Sequence, residues 1–164
     1  MEEKLVHEIE LYPFETFTTL LEYEVKRSKR YADHLTLVHL VVETDDSGPD
    51  AQYGAENFAI NVLNVQLRDV DIPCRIGNEF LVLMPCTDEL GGRVVCDRLE
   101  RLFRLEADVY DKVSFKLTVY IGMINAPGDK IPSSKQLTEG AAKAMNHARQ
   151  NRLEKTVVFS ELEE

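Results

Sequence analysis

Three polar residues stand where type and spacing could serve chemistry: Arg68 and Asp71, three apart, and Glu79, which follows a Gly77-Asn78 dipeptide. A guanidinium forks onto phosphate or carboxylate oxygens, and a carboxylate holds hard cations. Taken alone, an Arg-x-x-Asp pair is a common surface ion pair and a Glu at a hairpin tip is an ordinary exposed carboxylate. The other reactive types gather into nothing. Cys74, Cys86 and Cys96 are odd in number and fit no zinc or CxxC spacing, so they read as buried or neutral thiols. His7, His34 and His147 are scattered, and His39 lies inside an apolar run, where it reads as a core histidine.

Charge narrows the partners. Against 29 Asp and Glu stand 19 Lys and Arg, a net charge of -10, which repels phosphate polymers and anionic membrane surfaces. The expectation is therefore no nucleic acid and no membrane partner, and any anionic ligand needs a local basic cluster. The opening MEEKLVHEIE lacks a signal-peptide layout, and no apolar run reaches the roughly 18–20 residues of a membrane span, so the chain reads as cytoplasmic. With 164 residues, 44% of them hydrophobic, one core is the expectation.

The elements that must position these residues follow from periodicity and breakers. Pro13 suits a helix first turn, and Phe14, Phe17, Leu20, Leu21 and Val25 recur at helical spacing up to a basic stretch, Lys26, Arg27, Lys29 and Arg30, read as a solvated helix end. Residues 35–42 read as a buried strand and 44–52 (TDDSGPDAQ) as loop; Tyr53 to Leu67 carries a second helix. Two strands, 74–76 and 79–84, flank Gly77-Asn78, a tight hairpin because Gly takes positive φ at the first central position. Val94, Val95, Leu99, Leu102 and Phe103 mark a third helix, residues 114–122 a strand, 125–133 a loop. Leu137, Ala141, Ala144, Met145 and Ala148 mark a fourth helix, followed by a strand at 156–159. The order α-β-α-β-β-α-β-α-β implies an α/β sandwich (α+β) of split βαβ type, helices on a mostly antiparallel sheet. The division is a lead at 1–11, which could form a short coupling helix through Leu5, Val6, Ile9 and Leu11, a domain at 12–160 and an acidic tail at 161–164.

RDVDIPCRIGNEFLVLMP, residues 68–85, resembles the signature of GGDEF domains, the diguanylate cyclases: RxxD, five residues, Gly-Gly-Asp/Glu-Glu-Phe, then an apolar strand ending in Pro. Thr118-Val-Tyr-Ile-Gly122 is similar to the family's Thr-Val-Ser-Ile-Gly strand, and residues 141–149 to its last helix, so the likeness spans about residues 12 to 160. The resemblance implies a nucleotide-cyclase-like sheet and bacterial cyclic di-GMP signalling. In active members two GTP-loaded domains face each other, and carboxylates hold Mg²⁺ to offset the charge of the triphosphate.

The match fails where that chemistry sits. Aligned through Leu35 to Leu40, the strand-end aspartate falls on Val41, and a slip of one or two residues brings Glu43 there. The guanine-pocket Phe-Lys and Asn-Asp elements are replaced by TDDSGPDAQ. One hairpin Gly is missing and the acidic third residue is Asn78, an amide and a weak Mg²⁺ ligand. The phosphate-binding Lys becomes Arg149, and Gly-Arg-Asn is not preserved in Asn151-Arg152-Leu153. Glu79, Asn78 and Glu43 are thus relics, Arg149 a phosphate-site relic, and no metal or cofactor is expected unless the chain is a cyclase, which would need Mg²⁺. The family's product-inhibition site is intact: it implies cyclic di-GMP held by Arg68, Asp71 and an Arg of the next helix, which falls on Arg98. Guanidinium forks suit phosphate and the guanine Hoogsteen edge, and the carboxylate suits guanine N–H groups.

Three functions compete. The first is an inactive GGDEF-like signalling domain that binds cyclic di-GMP and acts through a protein partner or homodimer. The second is a ligand-free dimerisation scaffold. The third is a divergent diguanylate cyclase using Glu43 and Glu79 for metal.

Overall fold

The computed structural model describes residues 11–45, 48–110 and 116–162. Its elements are α1 (Phe14–Tyr31), β1 (Leu35–Thr44), α2 (Pro49–Gln66), β2 (Ile72–Ile76), β3 (Glu79–Pro85), α3 (Glu89–Tyr110), β4 (Leu117–Ala126), α4 (Ser134–Gln150), β5 (Val157–Val158) and a closing 3-10 turn, Phe159–Leu162. The strands form one sheet in the order β2-β3-β1-β4-β5. Among these strands the β4–β5 pairing alone is parallel, and an isolated parallel bridge joins Tyr12 to Cys74 of β2. The expected element order and the mixed α+β class are those observed.

β1 lies in the middle of the sheet and is covered on both faces, which is why its sequence is almost continuously apolar. Alternation deals Val38, Leu40 and Val42 to the face packed by α2 and α3, where Phe58 and Phe103 meet edge to face at 5.6 Å. Leu35, Leu37 and Val41 go to the other face, against α1 and α4. His39 and Glu43 share that second face by parity, and so does Glu79 beside Leu81 and Leu83.

Local chemistry explains the ends. α4 opens on a capping box in which the Ser133 side chain accepts from the Gln136 backbone N–H and the Gln136 side chain accepts in return. α1 closes on Ala32 in the left-handed region, its N–H donating to the Ser28 carbonyl. The β2–β3 hairpin turns at Gly77, φ +64, as its sequence requires. α4 lies so close to β4 that a Cβ at Gly122 would stand 2.1 Å from the Met145 backbone nitrogen.

Three expectations change. The segment 44–52 is not wholly loop: α2 begins at Pro49, with Gly48 as N-cap and proline in the first turn, where its missing N–H costs nothing. The basic end of α1 is not uniformly solvated, because Arg27 donates to Glu24 at 2.8 Å and Asp33 at 3.0 Å. Glu79 is not a free carboxylate at a hairpin tip, because it is bonded to His39. Leu5, Val6 and Ile9 lie outside the described residues, as do Ser114 and Phe115; Leu11 packs partly against the core. Glu161 and Leu162, in the sequence-defined tail, belong to the closing turn.

Candidate site at the end of helix α2

Arg68 follows α2 by two residues, and its own backbone N–H donates to Asp71 Oδ2 at 2.8 Å. That bond folds the 68–71 turn so that the guanidinium lies over the same carboxylate, Nη2 to Oδ1 at 2.8 Å and Nε to Oδ2 at 3.3 Å. The Asp71 side chain is 2% exposed, the Arg68 side chain 53%. The Asp71 hydrogen bonds raise the Arg68 pKa above its ordinary value, so the cation is permanent.

Arg68 Nη2 reaches further, to the Thr87 hydroxyl at 2.7 Å and the Pro85 carbonyl at 3.2 Å. Thr87 is itself buried, and its carbonyl accepts from Thr36 Oγ1 at 2.7 Å and Asn125 Nδ2 at 3.2 Å. Cys86, just before it, has φ +53 and turns the chain sharply out of β3. A hollow of about 410 Å³ opens beside these groups, lined among others by Arg68, Thr87, Asp33, His34, Gly91 and Val95.

Arg98 lies one helical turn beyond Val95 on α3 and is not among the residues that line the hollow. Its Nη2 donates to the Gln66 carbonyl at 3.2 Å, and its Nε is buried with no hydrogen-bond partner. Arg98 therefore reaches the last residue of α2, and Arg68 and Asp71 lie in the turn that follows that helix. Asp71, expected to meet a base N–H, accepts three hydrogen bonds from Arg68 and holds its guanidinium.

Glu79, Asn78 and Glu43, the positions that the family resemblance matches to its metal site, gather at the other end of β1. Thr36 and Glu43 are seven residues apart, which places the two groups about 23 Å from each other along the strand. Val41 is fully buried and pairs in register with Glu79. Glu79 Oε1 lies 2.8 Å from His39 Nε2, while His39 Nδ1 is buried without a partner. Glu43 is bridged to Arg149 at 2.8 Å, and Asn78 Nδ2 donates to the Val42 carbonyl at 3.1 Å. These groups do not fit a magnesium site: the strand position is apolar, the hairpin amide is spent on backbone, and each carboxylate has a protein partner. Among the described residues no three Asp, Glu, His or Cys side chains gather as metal ligands.

Thr36, Thr87, Asn125 and the His39–Glu79 pair are site groups that the sequence reading missed. Thr36 carried the faint signal of a polar residue in an apolar strand; the others depend on contacts between distant segments.

This sheet order, with a glycine-turned hairpin beside the central strand and helices on both faces, defines a nucleotide-cyclase-like α+β fold. No protein-family model matches the sequence, and no curated protein does. Solved structures do match, and they make the fold specifically that of GGDEF domains. The GGDEF domain of DgcB from Caulobacter crescentus, in complex with c-di-GMP, superposes with a TM-score of 0.74 at 16% identity over 91% of this chain and 89% of that one. Diguanylate cyclase SiaD from Pseudomonas aeruginosa, in complex with its activator SiaC, gives 0.77 at 24% identity, covering 90% of this chain and 58% of that one. The active GGEEF domain of a Vibrio cholerae diguanylate cyclase gives 0.68 at 14% identity, over 86% and 92%. Among the described residues no helix is long and apolar enough to cross a membrane.

Proposed function

We propose that this chain is a catalytically inactive GGDEF-fold signalling domain that takes cyclic di-GMP at Arg68 and Arg98 and passes the signal on by protein–protein association. The observation that carries the reading is the Arg68 guanidinium: half-exposed on a hollow of about 410 Å³ and anchored from behind by the buried Asp71 carboxylate. An anchored, permanently charged fork is what a phosphodiester or a guanine edge needs, and it supplies the local positive charge that a chain of -10 otherwise lacks. That DgcB is described with c-di-GMP bound, on the same fold, favours this ligand over other dinucleotides. Inactivity is supported by the internal pairing of Glu79 with His39 and Glu43 with Arg149, which leaves the triphosphate and its metal no ready partners.

Calorimetric titration with cyclic di-GMP is the direct test. Binding by the wild type that is lost in Arg68→Ala supports the reading, and an inert wild type sinks it. Incubation with GTP and Mg²⁺ tests the other half: a cyclic dinucleotide product that disappears in Glu79→Ala would restore the cyclase. One observation favours a ligand-free scaffold instead, namely that Arg68 Nε and Nη2 already have protein acceptors. Ligand-independent association without any binding would establish it.

A further inference from the structure

We infer that Thr87 is a positioning residue for the ligand-facing guanidinium, and that Thr36 and Asn125 aim Thr87. The inference rests on the proposed ligand site at Arg68.

Arg68 is half-exposed, and a long side chain in that setting ordinarily samples several rotamers, losing entropy when a ligand fixes it. Asp71 grips one edge of the guanidinium, through Nε and Nη2, and Nη2 turns further to two neutral acceptors, the Pro85 carbonyl and the Thr87 hydroxyl. Thr87 supplies the second anchor. Its hydroxyl accepts from Arg68 Nη2 at 2.7 Å and donates onward to the Pro85 carbonyl at 3.0 Å, so its one proton and one acceptor direction are both assigned. One nitrogen of the fork, Nη2, is thus shared between the Asp71 carboxylate and the Thr87–Pro85 pair.

Thr87 can serve because its own peptide is locked. Its carbonyl takes two donors, Thr36 Oγ1 from β1 and Asn125 Nδ2 from β4. Asn125 Nδ2 also donates to Thr36 Oγ1 at 2.9 Å, so one half-buried amide ties two central strands to the β3–α3 connection. The left-handed Cys86 immediately before Thr87 is the bend that brings this loop residue back over the sheet. A half-exposed arginine is therefore tied to the central strands through Thr87, beside its direct bond to the Pro85 carbonyl, and the ligand finds it already in place.

Three readouts on the whole chain test this, for wild type, Thr87→Val and Thr87→Ser, with Thr87→Ala as a second hydroxyl deletion. Thermal melts establish that each variant folds. The NMR order parameter of the Arg68 Nε–H group should be in the rigid range, about 0.8, in wild type and Thr87→Ser, and should fall below about 0.6 in the two deletions. Cyclic di-GMP should bind the deletions about tenfold more weakly, with serine restoring the affinity. An order parameter unchanged in both deletions overturns the inference whatever the titration gives. A wild type that does not bind cyclic di-GMP, in which the deletions still loosen Arg68, overturns the functional reading and leaves the positioning role standing.

Discussion

Removing the Arg68 side chain should destabilise the fold as well as silence the site. Among the described residues, the hydrogen bonds that the Asp71 carboxylate receives come from Arg68: one from its backbone, which survives substitution, and two from its guanidinium, which do not. A charge-assisted hydrogen bond contributes about 1.5–3 kcal/mol, and stripping a partner from a buried ion costs about 3–5 kcal/mol. Arg68 is half-exposed, so water screens the pair, and the cost of Arg68→Ala reduces to about 2 kcal/mol. Asp71→Asn keeps the shape but loses the charge, at about 1–2 kcal/mol. Because both substitutions break the same interaction, the double variant should cost less than their sum by about 1–2 kcal/mol. Urea unfolding of the four proteins measures this, and with a slope near 2 kcal/mol/M the Arg68→Ala midpoint should fall by about 1 M. A coupling below about 0.3 kcal/mol would refute the argument, because the carboxylate would then be held by something other than Arg68.

Gly122→Ala should cost about 3 kcal/mol or more in the same assay, because the added Cβ meets α4 backbone that cannot step aside; a melting temperature like the wild type would contradict the packing. In native protein one thiol, Cys86, should react quickly with an aromatic disulfide reagent at pH 8, and three should react in denaturant. Burial pushes Cys74 up to about 11 and Cys96 up to about 12, keeping both protonated. Glu161 is held below its ordinary value of 4.5, chiefly by the Val158 backbone N–H and then by Arg93. Its contribution is fully present above the unfolded value and fades as pH falls through the folded one, so the stability gap between wild type and Glu161→Gln should be open at pH 7 and narrow as pH falls below 4.5. A gap independent of pH would assign it to something other than that carboxylate.

The fold was legible where a residue type answers a backbone demand. Gly77 announced the hairpin because the turn needs positive φ, and the small residues of α4, Ala141, Ala144 and Ala148, marked a helix seated close on a sheet. Pro49 was misread because acidic and glycine-rich neighbours drown the signal that proline also gives at a first helical turn. At the site, spacing placed Arg68 and Asp71 together, since three residues suffice to close that turn. It could not say that Asp71 is buried and used up, because that depends on what lies over the turn. The His39–Glu79 pair joins residues 40 apart through strand register, and Thr87 reaches Arg68 across 19. No local pattern encodes such meetings.

The closed pairing at the hairpin end of β1 bears on how the sequence can change. A carboxylate introduced at position 41 would be fully buried among Tyr120, Ala144, Met145 and Ala148, at a cost of several kcal/mol before any ion could offset it. An aspartate at position 78 would give up the amide bond to the Val42 carbonyl and turn a negative charge toward that oxygen. Freeing Glu79 or Glu43 would leave His39 or Arg149 without its partner. Single substitutions toward a metal-binding set therefore run uphill one at a time. A carboxylate set able to hold a metal at this end of β1 needs several substitutions made together.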